Sequence, residues 1–300
     1  MKKSLIFILI FSFFSSFSQL EGQGIASINH TLNSNPAVTG NQNALSATLS
    51  FRNEWLSDEY HPRILALSMH TPLKNQKWNV GMMLYNDRFG LQNQNALWGY
   101  SSYKIQMSKG ILSTGVKAGL NSLSYQEGDF ILQDAGDIVF EPNANFLTLS
   151  LGLGVYYETQ KWYLGASLPD ISRHTSDNFM AYGNTNYWNY RFMGAYFFDI
   201  KEGLEFKNHF FIKGMGSIKP ILEYIPMIVY KKKIETALIL RTNVNFGFLA
   251  NYIISPKLKG GYIFDFNGVS GLPKSVGNHE IVISYRLAEI VNTDNPKFFQ

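Results

Sequence analysis

Strict two-residue alternation recurs along most of this chain, and it constrains the fold more than any other feature. In "TLSLGLGVYYE", residues 148–158, Leu149, Leu151, Leu153, Val155 and Tyr157 fall on one side of the repeat. Thr148, Ser150, Gly152, Gly154, Tyr156 and Glu158 fall on the other. A period of two is the side-chain period of a β-strand, so one face is apolar and the other small, hydroxylic or charged. Such a strand fits a soluble sheet with its apolar face on a core. It fits equally a membrane barrel with that face in lipid and the polar face in the lumen.

About fourteen segments alternate this way: 45–55, 63–72, 77–86, 94–107, 110–121, 145–158, 161–168, 189–199, 204–215, 221–230, 233–241, 244–254, 258–266 and 279–287. Several run nine to fourteen residues, longer than most globular strands but suited to tilted strands that cross a bilayer. Helical periodicity is confined to the N-terminus. The connections also sort by length. "LKNQ" (73–76), "SK" (108–109), "TQ" (159–160), "KK" (231–232) and "SPK" (255–257) are short. Between them lie the longer 56–61, 86–92, 122–144, 169–188 and 267–278, while the connections near Gly216 and Thr242 are short. Short turns at one end and long loops at the other are the pattern of an outer-membrane barrel. Trp78, Tyr157, Trp162 and Tyr252 flank the short turns on outward faces, where aromatic girdles belong.

The predicted fold is therefore all-β, a transmembrane antiparallel β-barrel of about fourteen strands over residues 45–287, with a plug-like N-terminal segment. Leu149 faces lipid and Ser150 the lumen, so arginine should be tolerated far better at Ser150. Pro226 cannot donate a ladder hydrogen bond and predicts a bulge or a broken strand. Segment 189–199 is aromatic on both faces, which leaves its inward side open.

Composition agrees. Charged residues make up 16% and aromatics 15%, yet mean hydropathy is only −0.09, too polar for a bundle of membrane helices. The net charge is +4 and the densest basic cluster is Lys231–Lys233, with no stripe to suggest a nucleic-acid partner. There is no cysteine, which excludes disulfides, thiol nucleophiles and thiolate-held metals. "MKKSLIFILIFSFFSSFSQ" has a basic start, a short apolar run and small residues before Gln19, the form of a signal peptide over 1–18. Residues 288–300 form a C-terminal tail.

Little in the sequence promises catalysis. Its six histidines lack metal-ligand spacing, and Asp134 and Asp137 are lone loop carboxylates. No nucleophile elbow occurs, although Ser, His and Asp brought together from separate strands would escape detection. No catalytic, cofactor-binding or metal-binding residue is assigned. Residues 19–44 are polar and turn-rich, and Asn35, Pro36 and Gly40 mark a fixed turn. The segment either enters the lumen as a plug or trails into the periplasm. In the long loops, Phe130, Phe140, Tyr182, Tyr187 and Trp188 are candidate partner-binding anchors. Those rings could instead fold the loops over the barrel mouth.

"NPAVTG" (35–40), "FRNEW" (51–55), "HPRILALSMHTPL" followed by "WNVGMMLYNDRFG", "GLGVYYETQKWYLGASLPDIS" (152–172) and "SPKLKGGYIFDFNGVSG" with "GNHEIVISYRL" resemble, in order and spacing, the PorP/SprF family. That family comprises outer-membrane proteins of Bacteroidetes type IX secretion and gliding motility. Val38 and Thr39 stand where it has an aromatic and an alanine. The Asn-Pro-Ala tripeptide is similar to the plug motif of fatty-acid-transporter barrels. The resemblance implies a non-enzymatic role in export or surface attachment of large adhesins. The implied partners are an adhesin with a type IX C-terminal domain, other secretion components and outer-membrane lipid. A diffusion channel or hydrophobic-solute transporter is the alternative, and a barrel enzyme a third.

Overall fold

The computed structural model describes residues 27–54, 61–125, 145–171, 188–216, 219–242, 246–266 and 277–287. After a one-turn helix, α1 (Thr31–Ser34), and a 3-10 turn (Pro36–Val38), the chain forms fourteen strands. They are β1 (Ser46–Glu54), β2 (Arg63–Pro72), β3 (Trp78–Phe89), β4 (Gln92–Met107), β5 (Gly110–Tyr125), β6 (Asn145–Glu158) and β7 (Trp162–Asp170). The second half is β8 (Asn189–Lys201), β9 (Leu204–Met215), β10 (Ile221–Tyr230), β11 (Ile234–Arg241), β12 (Phe246–Ser255), β13 (Leu258–Phe266) and β14 (Asn278–Arg286). Every strand pairs antiparallel with its sequence neighbours, and β1 pairs with both β2 and β14, which closes the barrel. Closure leaves no open edge, as a sheet in hydrocarbon requires.

The two faces divide as the alternation demands. Leu149, Leu151, Leu153 and Val155 of β6 are exposed on the outside, with Leu149 at 56%. Thr148, Ser150 and Tyr156 are buried on the inside. The same division holds around the wall, with Val80 and Leu84 out against Asn79 and Met83 in, and Ile281 and Ile283 out against Glu280 and Val282 in. A predominantly apolar belt of this kind suits lipid. Among the described residues no helix is long and apolar enough to cross a membrane. At the short-turn end, Trp78 packs on Tyr103 at 4.9 Å between ring centroids and Tyr157 on Trp162 at 5.3 Å.

Four expectations need correction. Residues 86–92 are not a long loop, because β3 and β4 continue to Phe89 and Gln92 around a turn at Gly90, whose φ of 56° is left-handed. Long and short connections are thus less cleanly sorted by end than the sequence suggested. Pro226 neither breaks β10 nor makes a bulge. Its register with β9 is unbroken, and the pairing with β11 lapses only between Tyr224 and Met227 before resuming in the same register. A missing N–H facing β11 accounts for that gap. The lumen face is not uniformly polar either. Ile225, Ile239, Leu249 and Ile263 point inward and are fully buried. Finally, Ser150 is enclosed, with its hydroxyl donating to Asp170 at 3.1 Å, so it offers no room for an arginine. In β8 the ambiguity resolves: Met193 and Ala195 are buried inside, while Phe192, Tyr196 and Phe198 are exposed outside.

Candidate functional site

Residues 34–41 are all buried, an unusual state for a turn-rich stretch outside any sheet. Buried backbone polar groups must find partners, and here the inner wall supplies them. Asn35 is extended (φ −151°, ψ 117°), as a residue before proline prefers, and its Oδ1 accepts from the Ala37 N–H at 2.9 Å to cap the 3-10 turn. Pro36 opens that turn, where a missing N–H costs nothing. Thr39 closes it through its hydroxyl, which donates to the Pro36 carbonyl at 2.7 Å. Gly40 ends the motif at φ 72°, a left-handed conformation that favours glycine, and a Cβ there would run into Asn79.

This segment lies across six strands along one registered row of inward-facing residues. Asn79 (β3), Ser102 (β4), Gly115 (β5), Gly154 (β6), Ser167 (β7) and Arg191 (β8) are successive cross-strand partners. The segment meets them in reverse chain order. Gly40 abuts Asn79, and the Thr39 carbonyl accepts from the Ser102 hydroxyl at 2.8 Å. Pro36 and Ala37 pass over Gly115, and Asn35 over Gly154, so closely that a Cβ at either glycine would collide with them. The Ser34 carbonyl accepts from Ser167 at 2.6 Å and the Asn33 carbonyl from Arg191 at 3.2 Å. Asn35 also donates through Nδ2 to the wall carbonyl of Val155 at 2.9 Å. The two adjacent glycines open a trough in which the Asn-Pro-Ala turn sits against bare backbone.

Flanking contacts hold both ends of the segment. Lys104 donates to the Gly40 carbonyl at 2.6 Å, and the Gly40 N–H donates to His70 Nδ1 at 2.9 Å. His30 lies between two serine hydroxyls, Ser50 at 2.8 Å from Nε2 and Ser68 at 3.2 Å from Nδ1. Burial without a charged partner pushes the His30 imidazole down to about 3, so it is neutral at physiological pH. Leu32, Ala37 and Val38 join an apolar cluster with inward-facing wall residues that include Trp98, Tyr156 and Tyr163.

The opposite wall carries a buried charge network at the end where the longer connections lie. Arg52 (β1) pairs with Glu54 at 2.8 Å, Asp265 (β13) at 2.7 Å and Glu280 (β14) at 3.5 Å. Arg241 (β11) pairs with Glu223 (β10) at 2.5 Å and with the other oxygen of Asp265 at 2.9 Å. Asp265 of β13 therefore links two arginines, Arg52 on β1 and Arg241 on β11, the second from across β12. Gly247 of β12 faces Asp265, and a Cβ there would strike the carboxylate. Arg241 can reach across β12 because that position has no side chain.

Of the residues marked from sequence, Asn35, Pro36 and Gly40 converge on the inner row. Trp188 is exposed at the β8 end of its loop, and its carbonyl accepts from Gly216 N–H at 3.2 Å. Phe130, Phe140, Tyr182 and Tyr187 lie outside the described residues. Sequence reasoning missed the row itself and the Arg52–Asp265–Arg241 bridge. Its signal was there in two lumen-facing glycines, Gly115 and Gly154, one on each of two neighbouring strands. Among the described residues, no group of three or more His, Asp or Glu side chains is arranged to hold a metal ion.

Several solved barrels are similar in outline. Omp33 of Acinetobacter baumannii is 8% identical, with 81% of this chain and 99% of that one covered and a TM-score of 0.45. A deletion mutant of the monoaromatic hydrocarbon channel TodX is 10% identical over 88% and 94% of the two chains, with a TM-score of 0.48. The NanC porin is 11% identical over 82% and 100%, with a TM-score of 0.40. No curated protein matches in sequence. The decisive comparison is with a family, described as "Type IX secretion system membrane protein PorP/SprF", which matches residues 28–285. That span takes in the docked turn at its start and all but the last residue of β14 at its end. The chain belongs to the PorP/SprF family of type IX secretion system membrane proteins.

Proposed function

We propose that this barrel is an outer-membrane scaffold of type IX secretion that holds a large secreted adhesin at the cell surface while residues 19–44 close its lumen. The observation that carries this reading is the burial of residues 34–41 along six strands of the inner wall. A barrel occupied by its own chain suits a holder of partners better than an open pore. In this proposal residues 1–18 are a removed signal peptide, 45–287 the membrane barrel, and 288–300 a periplasmic tail within reach of other secretion components. The protein is not an enzyme.

Phe130, Phe140, Tyr182, Tyr187 and Trp188 are the proposed anchors for the adhesin, and exposure of Trp188 supports a role for its loop. Large rings give contact area at low entropy cost, and neighbouring Asp and Asn give hydrogen bonds. Capture of the native complex from outer membranes, followed by mass spectrometry, tests the scaffold. An adhesin or another secretion component should be recovered, and replacing Tyr187 and Trp188 with alanine should abolish display while barrel abundance stays normal. Recovery of neither partner would sink the proposal.

One observation favours a second reading, a carrier of hydrophobic solutes. Ile225, Ile239, Leu249 and Ile263 make part of the inner wall apolar. Uptake of such solutes by liposomes containing the purified barrel would favour it.

A further inference from the structure

The outer wall behind the docked segment is hollowed into a groove of about 700 Å³. One bank is a registered row of outward residues, Trp78, Tyr103, Thr114, Val155, Ala166 and Phe192, with large rings at the ends and small side chains in the middle. The adjacent outward row, from Ser101 through Val116 and Leu153 to Leu168, makes the other bank. Gly115, Gly154 and Ser167, the residues that seat the segment inside, also line the groove outside. At Gly115 and Gly154 only backbone separates the groove from the Asn-Pro-Ala turn.

We infer that this groove binds an acyl chain of an outer-membrane lipid. The groove opens within the exposed apolar belt, between Leu153 and Val155, so hydrocarbon is the medium that meets it. Its lining carries no charged side chain, which leaves a phosphate or sugar headgroup without a partner there. A peptide strand is disfavoured for a different reason. In hydrocarbon its N–H and C=O groups need partners. The strands that form the groove are already paired on both sides through this row, so they offer no free edge. An acyl chain asks for no hydrogen bonds and gains dispersion contacts in a concave surface that it cannot make on a smooth one. Five interstrand steps of about 4.8 Å make the row roughly 24 Å long, comparable to an extended long acyl chain.

The inference depends on the barrel lying in a membrane and not on which partner it serves. Native mass spectrometry of the barrel released from detergent micelles is the test. The wild-type protein should retain an acyl-bearing lipid. Ala166→Trp fills the centre of the groove from the outside and should lower that retention by roughly tenfold or more. Leu147→Trp, on the outer face away from the groove, should leave it unchanged. Heat-modifiable migration checks that each variant is folded, and Thr114→Phe replaces Ala166→Trp if the latter fails to fold. A folded wild-type barrel free of lipid, equal retention in the filled variant, or a polypeptide held in place of lipid would each overturn the inference.

Discussion

Asn35 makes more distinct contacts than its size suggests. One side chain caps the 3-10 turn through Oδ1 and reaches the Val155 carbonyl of the wall through Nδ2. Asn35→Ala should loosen the docked segment by about 1–3 kcal/mol, the sum of a lost cap and a lost buried hydrogen bond. Limited proteolysis within residues 28–41 reads this directly, and unchanged protection would show that the turn is held by packing alone. Gly154→Leu attacks the same contact from the wall and should expel the turn while the strand ladder persists. His30 adds a pH dependence whose sign is fixed. Docked, it stays neutral down to about 3; released, it titrates near the ordinary histidine value. Docking is therefore at full strength above about pH 6.5 and weakens as pH falls below that, by about 2 kcal/mol at pH 5. His70, Lys104 and Glu158 face the same region, so the assignment requires His30→Gln. Protease sensitivity should rise between pH 7.5 and pH 5 in the wild type and rise clearly less in His30→Gln, the remainder belonging to His70, which accepts from the Gly40 N–H.

At the scale of the strand, alternation made most of this protein readable in advance. All fourteen strands and the division of each into two faces follow from it, because a period of two leaves no other way to separate Leu149 from Ser150, while the connections and the aromatic girdle told which face meets lipid. What escaped was whatever depends on a second strand. The β3–β4 hairpin looked like a loop because Asn86, Asp87 and Arg88 are polar, yet they pair with Asn95, Gln94 and Asn93. Tolerance at Ser150 was misjudged because nothing local marks its contact with Asp170. Leu149→Arg should still cost roughly 2–4 kcal/mol in a bilayer. Ser150→Arg should also destabilise, through overpacking rather than lipid exposure, and shifts in the heat-modifiable melting transition compare the two. The Arg52–Asp265–Arg241 bridge was likewise invisible, since its members come from the first, eleventh and thirteenth strands. Asp265→Ala removes the link between the two guanidinium groups but leaves Arg52 with Glu54 and Glu280 and Arg241 with Glu223, so it should cost about 1–3 kcal/mol. A melting transition unmoved by that change would mean that water reaches the network.

At the scale of the whole molecule, strand number bears on what the docked N-terminal segment does. Eight strands enclose only enough space for their own side chains, while sixteen to eighteen leave an aqueous channel. Fourteen lie between, so the interior needs filling from elsewhere to stay dry. Residues 27–44 provide part of that filling with Leu32, Ala37 and Val38. The wall does not depend on them for closure, because β1 begins at Ser46 and pairs with β2 and β14 along its length. If the segment closes the lumen as proposed, deleting residues 22–40 should leave a folded barrel whose single-channel conductance in planar bilayers rises well above that of the wild type. The deletion also removes the segment carbonyls that accept from Ser102, Lys104 and Ser167, turning those polar groups toward the lumen, where water can enter. A folded deletion variant with wild-type conductance would mean that wall side chains close the lumen by themselves. The docked segment would then serve to brace β3–β8 rather than to block passage.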